Sequence, residues 1–281
     1  MPVVGVRCPV KQGKEYIQTI PSCLTCAAED APCQFTQAVL LAMFAQEQRT
    51  GVHVSDLLTC PRQAILRKKI NYTVDPLNQW HLLRGKMAHL MLESATKGIN
   101  ATKDIEEIIK KSPEVKSELT LQLNIDGTIL TGTIDEYIQE LGLIRDYKSV
   151  KKIPPWKYPY KHHKDQINIY SVLLEKNKYP VKRGQIVYFD MADSKKVDCP
   201  ILPMEERIEF IKTRMSYYTS SEADINNSVT MREWHCLFCD PEIVTECMKI
   251  DLLNSLKEAN ISQEETDNIL HKFQEVRRLH G

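Results

Sequence analysis

Apolar and polar positions alternate with a period of two in two neighbouring stretches, SELTLQLNID (117–126) and TILTGTIDEYIQE (128–140). Such alternation predicts half-buried strands. Asp126-Gly127 lies between them and predicts a tight hairpin, because both residues tolerate a left-handed backbone. LIRDYKSV (143–150) predicts a third strand and RGQIVYFDMA (183–192) a fourth. A period nearer 3.6 predicts helices over 35–49, 79–97, 161–177 and 204–221. In the third of these, Ile167, Tyr170, Leu173 and Leu174 form the inward face. Between the first two, VHVSDLLTCPRQAILRKK predicts a cap at Ser55 and a helical stretch that carries Cys60. The terminal helix, 261–279, opens with Ser262 and Glu265 as a capping box and has basic residues in its last turn. Helix, three meandering strands, helix, strand, helix is the order of an α/β fold with a mixed central sheet flanked by helices.

With 281 residues the chain can bury one large core, or one and a half. Residues 1–33 are cysteine-rich and lack a periodic pattern, so the expected division is an N-terminal extension with its helix, 1–50, and a main domain, 51–281. Thirty-seven Lys and Arg balance 37 Asp and Glu, so no global basic field announces a nucleic-acid partner. Local clusters do exist: Arg62, Arg67, Lys68 and Lys69, then Lys148, Lys151, Lys152 and Lys157, followed by His162, His163 and Lys164. No apolar run is long enough to span a bilayer, and MPVVGVRCPVKQGK lacks the order of a secretory signal. The expectation is a cytoplasmic protein with no membrane partner. Nine cysteines in a reducing compartment point to metal ligands, redox groups or buried small hydrophobes rather than disulfides.

The third strand carries the first chemical signal. Asp146 and Lys148 are two apart, so they point to one face, and Tyr147 points to the other. Alone, the pair would be a surface ion pair of little worth. The preceding strand, however, carries Asp135, and adjacent strands can bring Asp135 and Asp146 together. Two close carboxylates raise each other's pKa unless a cation sits between them. Hard ions such as Mg²⁺ or Mn²⁺ prefer such oxygen ligands. His89 sits mid-helix on an otherwise apolar face, where a histidine is more often a satisfied core residue than a ligand. Gln166 and Tyr170 are four apart on one helical face.

In order, Gly85-x-x-x-His89, Gly132-x-Ile134-Asp135, Asp146-x-Lys148 and Gln166-x-x-x-Tyr170 resemble the motifs of the PD-(D/E)XK nuclease superfamily, and of its RecB-type branch in particular. The resemblance implies a restriction-endonuclease-like core. It implies that Asp135, Asp146 and His89 hold Mn²⁺ or Mg²⁺, with the Tyr147 carbonyl as a further ligand. Lys148 would lie by the attacking water and the scissile phosphate, and Gln166 and Tyr170 would support the site or touch substrate. Many relatives have Glu where this chain has Asp146, a shorter arm that shifts the metal geometry slightly.

Cys236-x-x-Cys239 is followed by Cys247, and Cys60 lies before the nuclease motifs. Spacing alone fits zinc or an iron–sulfur cluster on four thiolates equally well. One cysteine before the core and three after it resemble the CRISPR-associated RecB-like exonucleases of the adaptation machinery. That likeness covers roughly residues 52–250 and implies a [4Fe–4S] cluster on Cys60, Cys236, Cys239 and Cys247, forming a cysteine-ligated cluster subdomain. A second group, Cys8, Cys23, Cys26 and Cys33, has the spacing of a small zinc knuckle, and no role is carried over to it. Cys199 reads as a core or turn thiol.

The resemblance implies a metal-dependent nuclease acting on single-stranded DNA or overhanging ends, exonucleolytic or endonucleolytic, that processes DNA for spacer capture beside the CRISPR integrase subunits. Arg62, Arg84, Lys151 and Lys152 are candidate phosphate contacts. Trp156, among lysines in VKKIPPWKYPYKHHK, could stack on an unpaired base or simply lie in a proline-stiffened surface loop. The alternative is a non-catalytic DNA-binding or scaffold subunit of an integration or recombination complex. Retention of Asp135, Asp146 and Lys148 together speaks against a vestigial site. No P-loop motif is present, so no helicase is fused to this chain.

Overall fold

The structure, a computed structural model, describes residues 3–8, 10, 17–29, 33–44, 51–99, 102–190, 192–219 and 239–280. The chain gathers into two compact units with interleaved segments. One comprises Met1–Gln46, Thr59–Trp80 and Ser220–Gly281, the other Glu47–Leu58 and His81–Thr219.

The second unit is a mixed α/β layer. Its strands are β3 (Val52–His53), β5 (Val115–Ile125), β6 (Thr128–Ile138), β7 (Leu143–Ser149), β8 (Arg183–Phe189) and β9 (Ser194–Cys199). The path through the sheet runs β3-β6-β7-β8-β9, and β5 pairs with β6. The β5–β6 hairpin turns at Asp126 and Gly127, whose φ angles are 49° and 87°, the two left-handed positions that a two-residue hairpin turn needs. β7 and β8 are parallel and joined through helix α7 (Lys161–Lys176), while β6–β7 and β8–β9 are antiparallel. Eight consecutive residues of α7, Ile167–Leu174, are buried, so this helix lies inside the unit rather than on it. Polar members of the run are satisfied: Asn168 donates to the Lys164 and Pro200 carbonyls, and Ser171 Oγ accepts from Arg207 at 2.6 Å.

Gly132 shows how close α7 comes to β6. A Cβ there would lie 2.5 Å from Leu173 Cδ1 and 2.8 Å from Val54 Cγ2, so no larger residue fits without movement. The Tyr170 ring would be 3.2 Å away, and glycine therefore makes room for a residue of the expected site. Gly85 differs: a Cβ there would meet nothing within 4 Å, so packing does not demand glycine at that motif position.

The feature that positions the site is a fork in the sheet. One edge of β6 pairs with β5 along its length. Its other edge is shared: β3 pairs at Leu130 and Thr131, and β7 pairs from Glu136 to Ile138. Between them, ladder pairing is absent over 132–135 among the described residues.

The first unit holds β1 (Val3–Arg7), β2 (Ile17–Gln18) and β4 (Tyr72–Val74) in a small sheet of order β2-β1-β4. With them lie α1 (Ile20–Ala28), α2 (Gln37–Phe44), α4 (Pro61–Lys69), α9 (Pro241–Glu258) and α10 (Gln263–His280). Leu66, Ile243 and Ile250 form a core against which Cys239 and Cys247 pack. The expected continuous helix through Cys60 is two helices, α3 (Val54–Leu57) and α4, with Cys60 as the N-cap residue of the latter. Pro61 explains the break. It has no N–H to donate to a helix interior, but it suits a first turn. The α3 start is closed by Asp56, which accepts from the His53 N–H at 2.9 Å, rather than by Ser55.

Candidate metal centre at the strand fork

Where β6 and β7 part, Asp135 and Asp146 stand on facing strands. The ladder's last pair is Glu136 with Arg145, and one step further would pair Asp135 with Asp146. Instead the Tyr147 N–H donates to Asp135 Oδ2 at 2.7 Å, so a side chain takes over from the backbone where the strands diverge. Helix α5 (Pro76–Thr96) supplies His89. His89 Nδ1 lies 3.4 Å from Asp135 Oδ1 and 3.5 Å from Glu118 Oε1. One ligand atom from each of His89, Glu118 and Asp135 falls within 4.8 Å of the other two.

Asp146 is fully buried, and neither carboxylate oxygen has a hydrogen-bond partner. Lys148 Nζ lies 2.7 Å from Oδ2 and makes an ion pair with it. Burial pushes the Asp146 carboxyl up to about 7, with the charge of Lys148 acting against the shift and that of Asp135 adding to it. His89 is pushed up to about 10, chiefly by its hydrogen bonds to Asp135 and Glu118. His89, Glu118 and Asp135 offer one ligand atom each within 4.8 Å, a donor set a divalent cation takes, and buried Asp146 on the facing strand is near enough to feel the charges of Asp135 and His89. The residues present therefore fit such an ion.

The Tyr147 hydroxyl donates to Glu136 Oε2 at 2.6 Å, and both residues line the same hollow as His89, Glu118 and Asp135. Arg145 Nη1 donates to Glu136 Oε1 at 2.7 Å and Arg145 Nε to Gln185 Oε1 at 3.0 Å, so a polar network clamps β6, β7 and β8 beneath the fork. Tyr170 lies buried above Gly132, and the charges of Asp146, Asp135 and Glu118 reach it and help raise its phenol. Gln166 Nε2 donates to the Tyr170 hydroxyl at 2.9 Å. His163 is also drawn in: its Nδ1 lies 2.8 Å from the Tyr188 hydroxyl, and burial with the nearby charge of Lys148 drives its pKa down to about 2.

The fork thus gathers His89, Asp135, Asp146, Lys148, Gln166 and Tyr170 in one unit. The sequence reading missed Glu118, although a signal existed. A two-residue turn at Asp126-Gly127 pairs Ile125 with Thr128, and counting back along both strands sets Glu118 opposite Asp135.

Arg62 departs from expectation. It is 4 % exposed and donates to Asp251 Oδ1 at 2.6 Å, with Nη1 also 3.6 Å from Cys247 Sγ. A guanidinium committed in this way ties α4 to α9 and is not presented to a phosphate. Lys151, Lys152 and Trp156 are exposed, and Lys195 Nζ fastens their loop through the Pro154, Pro155 and Trp156 carbonyls. Arg84 is half-buried. Cys60 is buried, Cys239 and Cys247 are half-buried, and burial raises the Cys247 thiol, with a smaller contribution from nearby Cys60. Cys236 lies outside the described residues. Burial raises the Cys23 thiol, and the nearby Cys33, Cys8 and Cys26 add to the shift, so the four are near neighbours.

The raised His89 pKa makes a pH prediction. A group held above its usual pKa by folding contributes stability that is complete below its unfolded value and lost as pH rises through its folded value. For His89 that window runs from 6.5 to about 10. In EDTA, the unfolding midpoint of the wild-type chain should fall over this range, and His89→Gln should flatten the fall. Parallel pH profiles for the two proteins would contradict the ion pairing.

No curated protein resembles the chain closely enough to count as a match. Among solved structures, SSO0001 aligns at 18% identity over 72% of this chain and 90% of its own, with a TM-score of 0.48. A phage related exonuclease from Haemophilus somnus 129PT aligns at 17% identity over 60% of this chain and 91% of its own, with a TM-score of 0.31. Residues 103–276, which hold Glu118, both fork aspartates, Lys148, Gln166 and Tyr170, match the family described as the PD-(D/E)XK nuclease superfamily. That match spans well over half of the sequence, and on it the chain belongs to this superfamily.

Proposed function

We propose that the chain is a metal-dependent DNA nuclease that hydrolyses phosphodiester bonds at the fork, acting on single-stranded DNA or overhanging ends. The observation that carries this reading is the buried Asp146 carboxylate, without a hydrogen-bond partner and 2.7 Å from Lys148, on the strand facing Asp135. His89, Asp135 and Asp146 would hold Mn²⁺ or Mg²⁺, with the Tyr147 carbonyl as a further oxygen. A bound divalent ion would supply an acidic water as nucleophile and positive charge against the phosphate. Lys148 adds a cation where negative charge develops. Its pairing with Asp146 fixes where that cation points. Tyr170 accepts from Gln166, which leaves the phenol proton available to donate, and its raised pKa keeps that proton in place at neutral pH. Both are positioning residues in this reading.

Lys151, Lys152, Arg84 and exposed Trp156 would line the DNA path. Phosphate contacts from the cations would position the strand, and stacking on the indole would favour unpaired bases. The motif order and the four-cysteine spacing support a place among CRISPR adaptation exonucleases that work beside the integrase subunits. In this reading Cys60, Cys236, Cys239 and Cys247 carry a [4Fe–4S] cluster, a staple between distant parts of the sequence. Cys8, Cys23, Cys26 and Cys33 carry one zinc.

Cleavage of 5′- and 3′-labelled single-stranded DNA tests the nuclease. The wild-type chain should cut with Mn²⁺ or Mg²⁺ and not with EDTA, and the labels give polarity. Lys148→Ala and Asp146→Asn should each lose at least about 10²-fold in rate, as removal of a charge-stabilising group does. Wild-type rates in both would sink the assignment. DNA binding without cutting in the wild type would favour the scaffold alternative.

Metal analysis of the purified chain tests the cysteine groups. About four irons and one zinc are expected per molecule. Cys60→Ser should lose iron and keep zinc, and unchanged iron in that variant would rule out its role in the cluster.

A further inference from the structure

Glu118 belongs to no motif, yet its carboxylate is 3.5 Å from His89 at the fork. It sits inside β5 with φ at 50°. Among the described residues it is the one non-glycine with a left-handed backbone inside a strand: Asp126 is in the hairpin turn, and Lys178 and Asn260 follow helices. No inserted residue causes it, because Ser117 pairs with Glu136 and Leu119 with Ile134 in unbroken register. Steric crowding of Cβ makes this conformation unfavourable for a non-glycine residue, and it persists where surroundings over-determine it.

The second observation is independent of β5. Asp146, on β7, is fully buried with both oxygens lacking hydrogen-bond partners, and it feels the charges of Asp135 and His89. Lys148 Nζ, 2.7 Å from Oδ2, is its ion-pair partner, and a buried acid with so few partners near the His89, Glu118 and Asp135 group is what a cation would satisfy further. We propose that Glu118 is a protein ligand of the cation held by His89 and Asp135, and that the left-handed backbone at this position is kept because it aims the carboxylate into the fork. The inference rests on the metal-centre reading and extends it by one residue. Two carboxylates from β5 and β6 would then offset the charge of a divalent ion from one side, with Asp146 approaching from β7.

A simpler role for Glu118 is counter-ion to a protonated His89, and the two roles predict opposite signs. A ligand's removal weakens metal binding. A counter-ion's removal frees His89 to lose its proton and leaves metal binding unchanged or tighter.

Titration of the full chain with Mn²⁺ alone, reading free Mn²⁺ by electron paramagnetic resonance, separates them. Glu118→Gln should weaken Mn²⁺ binding at least about tenfold, the low end of what losing even an outer partner of a metal ligand costs. Unchanged or tighter binding in Glu118→Gln, with binding lost in Asp135→Asn, overturns the Glu118 assignment and leaves the metal centre standing. No Mn²⁺ uptake by the wild type that Asp135→Asn abolishes overturns the metal centre itself, and this inference with it. Glu118→Gly tests the strain separately. It lacks the carboxylate, as Gln does, but relieves the backbone, so in EDTA it should melt about 2–4 °C above Glu118→Gln. A Gly variant that melts at or below the Gln variant overturns the claim that the backbone is strained.

Discussion

The arrangement depends on one costly burial, the Asp146 carboxylate in the middle of a sheet. An ionised carboxylate out of water costs several kcal/mol unless partners compensate it. Here compensation comes first from the ion pair with Lys148 at 2.7 Å, with a smaller share from the charge of His89. A protein that needed only stability would place an apolar side chain there, as the flanking strand residues Leu143 and Ile144 show. Holding the acid in this state leaves it with a pKa near neutrality, and strong perturbation of that kind is typical of functional sites.

The neighbouring structure follows from keeping that acid where it is. α7 must pass over the fork, so Gly132 loses its side chain to admit Leu173 and Tyr170. β6 and β7 must separate at Asp135, so the Tyr147 N–H turns to the Asp135 side chain. The strands are then locked by hydrogen bonds among Glu136, Arg145, Tyr147, Gln185 and Asp198.

Much of this was legible in the chain. The hairpin, the order of β6, β7, α7 and β8 and the convergence of Asp135 with Asp146 follow from period-two alternation and one Asp-Gly turn. Other parts were not. α7 is buried all round, so its inward residues give no full account of a helix that also buries Asn168 and Ser171 through hydrogen bonds to partners distant in sequence. Helices α6 (Lys103–Lys111) and α9 and the edge strand β9 escaped notice. α6 is short and has no buried residue, and β9 alternates around lysines. Arg62 reads as a surface cation in a basic run, and only the distant Asp251 reveals it as a buried partner. Glu118 was hidden because its importance lies in a backbone angle and a cross-strand register. The interleaving of two units likewise depends on contacts between segments far apart in sequence.

We propose that the fork binds a divalent cation through Asp135 and Asp146. Anomalous diffraction from crystals of the full chain grown with Mn²⁺ tests it most directly. The account predicts a manganese peak at the fork, coordinated by oxygens of both aspartates with His89 at its side. Manganese bound elsewhere and none at the fork would contradict it.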